Sequence, residues 1–481
     1  MVPLAAIPQH YAATAPAAAC FRQDGETLDW AGLEARASRW ARLLVAHGVG
    51  PDALVAMSMA NGAEFLAASF GIWKAGATPA PLSPKLTAAE RREILEIMRP
   101  AAFVTDDASL GGLVPAMLGD VGEIGAGAMP ALHVATGWKA CTSGGSTGRP
   151  KVIVDHRPAA FDLDFPFLDM PRDAVVLNPG PLYHNGPFSA LAAALIKGNR
   201  VIGQKRFDAA GALDLIASEQ AVWAMLVPTM MHRIWRLPDE LKDPARLASL
   251  RLVVHTAAPI APWLKQAWID WLGGARVGEV YGATEGIVRT WVLGTDWASR
   301  PGTVGQAIGG TRLSVRDPAG VPVAPGVVGE VFAMPPNGPG STYHYIGAEP
   351  RRSHDGWESV GDLGWLDEDG FLFLADRRVD LIITGGVNVF PAEVEAALSE
   401  HADVLSCAVV GVADDDLGQR VHAVVQAAPG SDLGADALLA FARTRLSGQK
   451  VPRSVEFRDG PVRDDAGKVR RATLLASPPL P

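Results

Sequence analysis

The chain has 481 residues, which is too long for one ordinary hydrophobic core, so we expect two or three domains. A content of 48% hydrophobic and 20% charged residues is typical of a soluble globular protein, and the formal charge of −9 disfavours nucleic acid as the main partner. The three cysteines, Cys20, Cys141 and Cys407, have no metal-ligand spacing, so we expect neither disulfides nor a structural zinc site. This favours a location in the reducing cytoplasm.

Short apolar strands alternate with amphipathic helices through most of the chain. Residues 29–80 follow the order helix, strand, helix, strand, and apolar segments at 174–180, 222–228 and 250–258 each precede a helix. This order predicts an α/β fold with a large N-terminal domain of helix-covered, largely parallel sheets. Residues 107–138 are rich in Gly and Ala and predict irregular structure.

The pattern changes near residue 376, where about a hundred residues of α+β type begin. Helices are predicted at "PAEVEAALSEH" and "ADALLAFARTRL", and strands at "VLSCAVVGV", "VHAVVQAA" and "SVEFRD". This segment is small enough to be a mobile C-terminal domain. We therefore divide the chain into an N-terminal domain, 1–376, and a C-terminal domain, 377–481.

We expect no signal peptide and no membrane span. The first ten residues lack a basic start, and the longest apolar run covers only 190–196. The sequence leaves the oligomeric state open, with a homodimer as one option.

The segment "CTSGGSTGRPKVIVDH", residues 141–156, combines hydroxyls, glycines and two cations. Walker-type loops need a glycine directly before the lysine and Ser or Thr after it, but Lys151 lies between Pro150 and Val152. What remains is either a surface turn or a flexible loop whose amides and hydroxyls wrap phosphate oxygens. The candidate phosphate-binding residues are Ser143, Gly144, Gly145, Ser146, Thr147, Gly148 and Lys151.

This loop resembles the phosphate loop of the adenylate-forming superfamily, which contains acyl-CoA synthetases, stand-alone adenylation domains and luciferases. Aligned on Pro150-Lys151, Gly144 replaces a serine of the usual motif and Val152 a glycine. Four further matches follow in the expected order: "YGATEG", "VGDLGWLDEDG", "DRRVDLIITGGVNVFPAEVE" and "DDAGKVRR". On these five motifs the chain is identified as a member of the superfamily.

The resemblance implies a role for each matched residue. Tyr281 would stack on adenine, Asp362 and Arg377 would bind the ribose, Glu285 would hold Mg²⁺, and Lys468 would be the catalytic lysine. Without the motifs, such residues are more often core aromatics, surface carboxylates or surface lysines. The other implied nucleotide-site residues are Ala257, Ala258, Pro259, Gly282, Ala283 and Thr284, with Thr284 also implied in catalysis.

The chemistry accounts for these residue types. Attack of a carboxylate on the α-phosphate of ATP brings two anions together, so the site must supply positive charge. Lys468, Mg²⁺ on Glu285 and the glycine-rich loop meet that requirement.

In this family a thiol then attacks the acyl-adenylate. Gly385 and Gly386 would line a pantetheine tunnel after the C-terminal domain rotates; otherwise they form an ordinary turn. The hinge position aligns with Val379. Lys450, with Arg453 nearby, would meet either the phosphates of coenzyme A or an acidic carrier protein.

The acyl pocket is predicted around "PLYHNGPFSA", residues 181–190. His184 is implied to gate the pocket or contact the acyl carboxylate, a histidine in a structural hydrogen bond being the alternative. Amino-acid-activating relatives usually place an aspartate here, and this chain has none, which disfavours an amino acid. The predicted wall is mainly apolar or small: Phe188, Trp223, Met225, Val227, Thr229, Met230, His255, Thr256, Ala257 and Ala258.

These residues favour a bulky hydrophobic acid of aryl, terpenoid or steroid type, and the pairing of "SGGSTGRPK" with "PLYHNGPF" is similar to bile-acid and steroid CoA ligases. The leading hypothesis is an acyl-CoA synthetase that uses ATP, Mg²⁺ and coenzyme A. An adenylation enzyme that loads a carrier protein is the first alternative. A nucleotide-binding relative without catalysis is the second.

Overall fold

The computed structural model describes residues 1–118, 131–144, 150–377, 379–465, 467–471 and 474, of which 143, 144, 376 and 377 are described by their backbone alone. Four residues of the predicted phosphate loop, Gly145, Ser146, Thr147 and Gly148, lie outside the described residues. No helix in the described ranges is long and apolar enough to cross a membrane.

The helices of the described residues include eleven of α type. They are α1 (Ile7–Thr14), α2 (Trp30–Ala46), α3 (Ala63–Lys74), α4 (Ala88–Met98), α5 (Asn185–Ile196), α6 (Ala209–Glu219), α7 (Pro228–Trp235), α8 (Pro262–Leu272), α9 (Gly294–Trp297), α10 (Pro391–Ser399) and α11 (Ala435–Arg443). Short 3₁₀ helices cover Leu4–Ala6, Ala108–Leu110, Pro115–Leu118, Asp239–Lys242, Pro244–Leu247 and Gly274–Arg276.

The strands are numbered in chain order. They are β1 (Val2–Pro3), β2 (Ala19–Gln23), β3 (Glu26–Asp29), β4 (Leu54–Ser58), β5 (Thr78–Pro81), β6 (Ala102–Thr105), β7 (Ala140–Gly144), β8 (Pro150–Asp155), β9 (Ala160–Phe161), β10 (Val175–Leu177), β11 (Arg200–Gly203), β12 (Trp223–Leu226), β13 (Leu252–His255) and β14 (Val277–Gly282). The second half holds β15 (Arg289–Leu293), β16 (Thr303–Ala307), β17 (Arg312–Arg316), β18 (Gly329–Met334), β19 (Tyr343–Ile346), β20 (Arg351–Arg352), β21 (Glu358–Ser359), β22 (Asp362–Leu366), β23 (Leu372–Arg377), β24 (Ile382–Thr384), β25 (Val387–Val389), β26 (Val404–Asp414), β27 (Gly418–Ala427) and β28 (Ser454–Phe457).

Helix α2 shows how the sequence produces these elements. Asp29 caps its first turn by accepting from the Gly32 amide at 2.7 Å. Its buried residues, among them Leu33, Ala37 and Trp40, recur every three or four positions, so one face packs on the core. Helix and core therefore follow from the same spacing.

The predicted parallel sheet is confirmed. Strands β2, β11, β10, β12, β13 and β14 are neighbours in that order, and each adjacent pair is parallel. From β14 the sheet continues through antiparallel strands β15, β16, β23, β22 and β18. Loops that follow parallel strands meet at one edge of the sheet, where α/β proteins bind their ligands. The segments after β12, β13 and β14 meet there.

A smaller three-stranded sheet carries the predicted phosphate loop. Strand β8 lies between β7 and β19, and both pairings are antiparallel. Another small sheet, with order β5–β4–β6, is fully parallel.

The C-terminal elements form a separate layer with its own core. Strands β25, β24, β27 and β26 are neighbours, β28 pairs with β27, and α10 and α11 contribute to the same apolar cluster. The predicted α+β pattern is confirmed, with the two long strands β26 and β27 paired over nearly their full length.

Candidate active site

The hairpin β7–β8 holds both ends of the predicted phosphate loop. Ser143 pairs with Lys151, and Gly144 pairs with Pro150, in antiparallel register. The backbone of these residues therefore lies beside Lys151, and the intervening residues connect two paired strand ends.

Lys151 reaches from β8 to two groups that are distant in sequence. Its Nζ donates to the Tyr345 hydroxyl at 2.7 Å and to Glu285 Oε1 at 3.2 Å. The Tyr345 hydroxyl in turn donates to the same Glu285 oxygen at 2.5 Å. Burial, followed by the charge of Glu285, raises the pKa of Tyr345, so the phenol stays a donor. This triad joins the loop to the predicted metal carboxylate.

The chemistry of this triad fits Mg²⁺ binding. Glu285 is only 6% exposed, and both of its described hydrogen bonds use Oε1, so Oε2 remains as a hard oxygen ligand. In the described part of the chain, no group of three or more His, Cys, Asp or Glu side chains could hold a metal by itself. Mg²⁺ at Glu285 would therefore depend on phosphate and water oxygens, as this ion commonly does.

The predicted adenine and ribose residues lie together. The Tyr281 hydroxyl donates to Asp362 Oδ2 at 2.5 Å. Asp362 opens β22 and stands opposite Arg377 of β23 in the antiparallel register. The two predicted ribose residues are thus cross-strand neighbours.

The remaining residues of "YGATEG" form the turn after β14. Gly282 ends the strand opposite Arg289, and the Ala283 amide donates to the Val288 carbonyl at 3.3 Å. Thr284 is half-buried at the tip of this turn. The turn places Thr284 directly before the buried Glu285.

The segment after β13 is a loop in an unusual backbone conformation. Ala257 has φ of +81°, which non-glycine residues rarely adopt, and such conformations concentrate at functional sites. Ala257 and Pro259 are exposed, while Ala258 is half-buried. The three residues therefore border the site without filling it.

The predicted acyl pocket surrounds the first turn of α5. A Cβ built on Gly186 would lie 3.4 Å from Thr256 Cγ2 and 3.9 Å from the Met225 sulfur. The first turn of α5 thus faces both Met225 in β12 and the segment that follows β13. Phe188, two residues after Gly186, is buried and stacks on Trp138.

His184 precedes α5 as its N-cap residue. Its Nε2 is buried and has no hydrogen-bond partner in the described residues. Burial, and then the positive charge of Lys468, lower the pKa of His184 to about 4. The imidazole is therefore neutral near pH 7 and offers an unused nitrogen to a ligand.

Lys468 lies on the same side as His184, although the two belong to different halves of the chain. Gly467 packs so closely that a Cβ there would lie 3.2 Å from Thr229 Cγ2. Lys85 and Asp465 form an ion pair across the domains, and Arg470 Nη1 lies 2.7 Å from Glu90 Oε1. The C-terminal domain is thus closed over the N-terminal site with Lys468 inward.

The segment that carries Lys468 is anchored to a buried carboxylate in α10. Glu395, 7% exposed, pairs with Arg463 and lies 2.8 Å from Arg471 Nη2. Arg463 also donates to the Gly467 carbonyl at 3.0 Å. These two arginines hold the segment on both sides of the lysine.

Other predicted residues lie elsewhere in this conformation. Gly385 and Gly386 form the exposed two-residue turn between β24 and β25, with φ of +54° and +78°. Both dihedrals suit a type I′ hairpin turn, which explains the two glycines. Val379 is 60% exposed, and Lys450 Nζ lies 2.6 Å from Glu393 Oε1. The structure does not bring these residues to Lys468.

Two residues that contact the candidate site were not predicted from the sequence. Tyr345 comes from an antiparallel strand without a recognisable motif, so no local signal could have found it. Lys139 is 3% exposed and contacts α5 next to His184. A lysine in the apolar segment before "CTSGG" was the available signal.

Comparison with known proteins defines the class. Residues 8–126 and 140–341 match the family described as AMP-binding enzyme, and residues 393–468 match the AMP-binding enzyme C-terminal domain. A feruloyl-CoA synthase of Amycolatopsis is 32% identical over 97% of each chain. The fatty acid–[acyl-carrier-protein] ligase ScoC of Streptomyces coeruleorubidus is 31% identical over 96% of this chain and 93% of its own.

Solved structures agree. The o-succinylbenzoate CoA synthetase MenE of Bacillus subtilis, in complex with its acyl-adenylate intermediate, superposes with a TM-score of 0.79 at 25% identity over 98% of each chain. ATP-bound MatB of Rhodopseudomonas palustris gives 0.80 at 27% identity over 98% of each chain.

The fold and the matched regions define an adenylate-forming enzyme. The chain belongs to the AMP-binding enzyme family. The predicted class, an AMP-forming acid–thiol ligase with ATP, Mg²⁺ and coenzyme A as cosubstrates and cofactor, is confirmed by this membership.

Proposed function

We propose that this protein activates a hydrophobic, ring-bearing carboxylic acid as its acyl-adenylate and transfers the acyl group to coenzyme A. The acyl carboxylate attacks the α-phosphorus of ATP and pyrophosphate leaves. The thiol then attacks the acyl carbonyl carbon and AMP leaves. The observation that carries the proposal is the convergence of Lys468, His184 and the Lys151–Glu285 pair on one edge of the sheet.

The residues of this edge supply what adenylation requires. Lys468 provides positive charge on the acyl side, where the attacking carboxylate and the α-phosphate meet. Lys151, at the C-terminal end of the phosphate loop, binds phosphate oxygens. Bound Mg²⁺ would neutralise phosphate charge next to Glu285. Tyr281 and Asp362 hold the nucleoside, with Arg377 across the strand pair.

The pocket supports an uncharged, bulky acyl group. Asn185 and neutral His184 occupy the place where an amino-acid substrate would need a carboxylate. Met225 lies next to Gly186 in the first turn of α5, and Phe188 packs behind this turn against Trp138. Relatives named for feruloyl, indoleacetate and 2-succinylbenzoate substrates support a ring-bearing acid. A relative from Rhodococcus jostii, named for a methyl-dioxo-octahydroindenyl propanoyl substrate, gives weaker support to the steroid-like class.

The thiol acceptor has one specific alternative. ScoC is named as a ligase for the acyl carrier protein and covers nearly the whole chain, which supports loading of a carrier protein as the second candidate function. Lys450 and Arg453 would serve either acceptor, because both present phosphate groups or acidic side chains.

Domain alternation completes the proposal. The division falls between residues 376 and 377, with Val379 as the pivot. In the described conformation Lys468 faces the N-terminal site, while the Gly385–Gly386 turn is exposed. Rotation of the C-terminal domain would move Lys468 away from the N-terminal site and bring the Gly385–Gly386 turn towards it. Adenylation and thiol transfer would then use different conformers.

A substrate panel tests the proposed function. The protein is incubated with ATP, Mg²⁺, coenzyme A or a phosphopantetheinylated carrier protein, and a panel of aryl, terpenoid, steroid, fatty and amino acids. We expect AMP, pyrophosphate and a CoA thioester, with ring-bearing acids turned over best. Carboxylate-dependent ADP formation, strongest stimulation by an amino acid, or no turnover of any acid would contradict the proposal. Exclusive acylation of the carrier protein would favour the second candidate.

A further inference from the structure

Lys139 is a buried cation whose described partners are all uncharged. Its Nζ donates to Ser189 Oγ at 2.8 Å and to Asn185 Oδ1, and lies 4.5 Å from the Trp138 ring centroid. The side chain belongs to a residue that is only 3% exposed. Burial of an ammonium group is costly unless an opposite charge compensates it, and burial lowers the pKa of Lys139.

The surrounding charges do not compensate this cation. The carboxylate that attracts Lys139 is Asp155, which is already held in two hydrogen bonds by Arg157, at 3.0 and 2.6 Å. Arg157 and Arg289 both repel Lys139. Among the side chains that the structure describes, no carboxylate lies within 4.0 Å of its Nζ. Three cations therefore share one carboxylate.

The position of Lys139 places this charge on the acyl side. Lys139 directly precedes β7, and both its Nζ and the Cys141 sulfur, the latter at 3.9 Å, face Asn185 Oδ1. Asn185 and Ser189 are one turn apart on α5, and Asn185 directly follows His184. Lys139 thus contacts the first two turns of α5, directly after His184.

The hydrogen-bonding capacity of Lys139 also indicates that the lysine binds a further acceptor. An ammonium group has three donors, and Asn185 and Ser189 account for two. A third acceptor of negative charge would satisfy the remaining donor and offset the excess positive charge. Such an acceptor is missing from the described side chains, but an acyl substrate entering past His184 would supply it.

We propose that Lys139 determines acyl specificity by binding an acceptor oxygen at the end of the substrate opposite the reacting carboxylate, so that the preferred acid is hydrophobic in its middle and carries a second oxygen function. This inference rests on the proposed function and narrows its substrate class. The net charge favours an ionised oxygen, such as a second carboxylate, over a neutral carbonyl, because charge-assisted hydrogen bonds are the stronger ones.

The test uses three matched aryl acids that differ only at the far end: a second carboxylate, its methyl ester, and a methyl group. For the wild type we expect kcat/KM for the diacid to exceed that for the methyl analogue by about 10- to 100-fold, since a hydrogen bond to a charged group is worth that factor. The ester should fall between them. If kcat/KM for the ester exceeds that for the diacid, Lys139 binds a neutral acceptor oxygen and the preference for an ionised oxygen is wrong.

Lys139→Met keeps an unbranched side chain, one heavy atom shorter, and removes its charge. We expect this variant to lose the preference, mainly through a higher KM for the diacid, while it turns over the methyl analogue at least as well as the wild type. Lys197→Met is the matched control, because Lys197 is also a buried lysine but caps the opposite end of α5. Its selectivity should equal that of the wild type.

Equal kcat/KM for all three acids in the wild type, or an unchanged preference in Lys139→Met, would overturn the inference while the proposed function stands. Lys139→Gln, a polar but uncharged replacement, gives the same comparison if the methionine variant does not fold. Failure of the wild type to form AMP with every acid of the wider panel would instead refute the proposed function itself.

Discussion

Two buried histidines show how strongly individual residues depend on their surroundings. His255, at the end of β13, is fully buried and neither ring nitrogen has a hydrogen-bond partner in the described residues. His232, in α7, is also buried. Burial lowers the pKa of each to about 4, with Arg236 adding to the effect at His232. Both imidazoles are therefore neutral in the folded protein at pH 7.

This burial predicts a loss of stability in mild acid. Between about pH 6.5 and pH 4 the unfolded chain binds protons at these histidines and the folded protein does not, so the free energy of unfolding falls as the pH decreases. Each histidine contributes at most about 1.4 kcal/mol per pH unit. Denaturant unfolding of the wild type and of His255→Leu, followed by tryptophan fluorescence at several pH values, checks this. The variant should show a smaller slope, and an identical slope would contradict the prediction.

At the scale of elements, helix α4 connects the two domains. Thr87 and Glu90 form a capping box at its start, and the Glu90 carboxylate also pairs with Arg470, two residues after the proposed catalytic lysine. Lys85 pairs with Asp465 just before that helix. The start of α4 therefore contacts the segment on both sides of Lys468 and favours the closed arrangement.

Removal of one of these ion pairs should affect adenylation selectively. Glu90→Gln preserves the capping box, because glutamine also serves at this position, but loses the attraction to Arg470. An exposed ion pair contributes about 0.2–1 kcal/mol, so we expect adenylation to slow by at most about fivefold, less at high ionic strength. Half-reaction kinetics at low and high salt measure this. Arg470→Gln should give a similar loss, and the double variant should not add to it.

A slowing of thioester formation from supplied acyl-adenylate in Glu90→Gln would contradict this account. In the proposed alternation, rotation of the C-terminal domain separates Glu90 from Arg470, so the second half-reaction should be unaffected.

At the scale of the whole molecule, the closed conformation separates the residues proposed for the two half-reactions. Lys468 faces the N-terminal site, and Gly386 stands in an exposed turn where an added Cβ would meet no described atom within 4 Å. A larger residue at 386 should therefore fit this conformation sterically, although its positive φ disfavours side chains. The two residues should then affect different steps.

Two substitutions test this separation. Lys468→Ala removes a preorganised charge, so adenylation should fall by about 10²–10³ while thioester formation from supplied acyl-adenylate remains largely intact. Gly386→Leu should block thiol entry and leave adenylate formation nearly normal. Rapid-quench measurement of both half-reactions in both variants decides the matter. If each substitution slows both steps equally, domain alternation is the wrong mechanism here.

Local sequence patterns predict the class of fold, and the five motifs predict the residues of the candidate site. Alternation of apolar strands with helices predicts parallel sheets because hydrophobic periodicity is a local property. Motifs such as "YGATEG" carry their residue types within a few positions, so Tyr281 and Glu285 are predicted as nucleotide-site residues without a structure. The phosphate loop was predicted in the same way, although four of its residues lie outside the described part of the chain.

The contacts between residues that are distant in sequence come from the folded structure. Tyr345 joins Lys151 and Glu285 through an antiparallel strand, and Glu395 anchors the Lys468 segment from another helix. The lack of a carboxylate next to Lys139 among the described side chains is likewise visible only in the folded structure, because the sequence does not show which residues surround a lysine. Such contacts depend on strand order and domain closure, which no local pattern encodes. The sequence therefore predicts which residue types take part in the chemistry, whereas the distances between those residues require the tertiary structure.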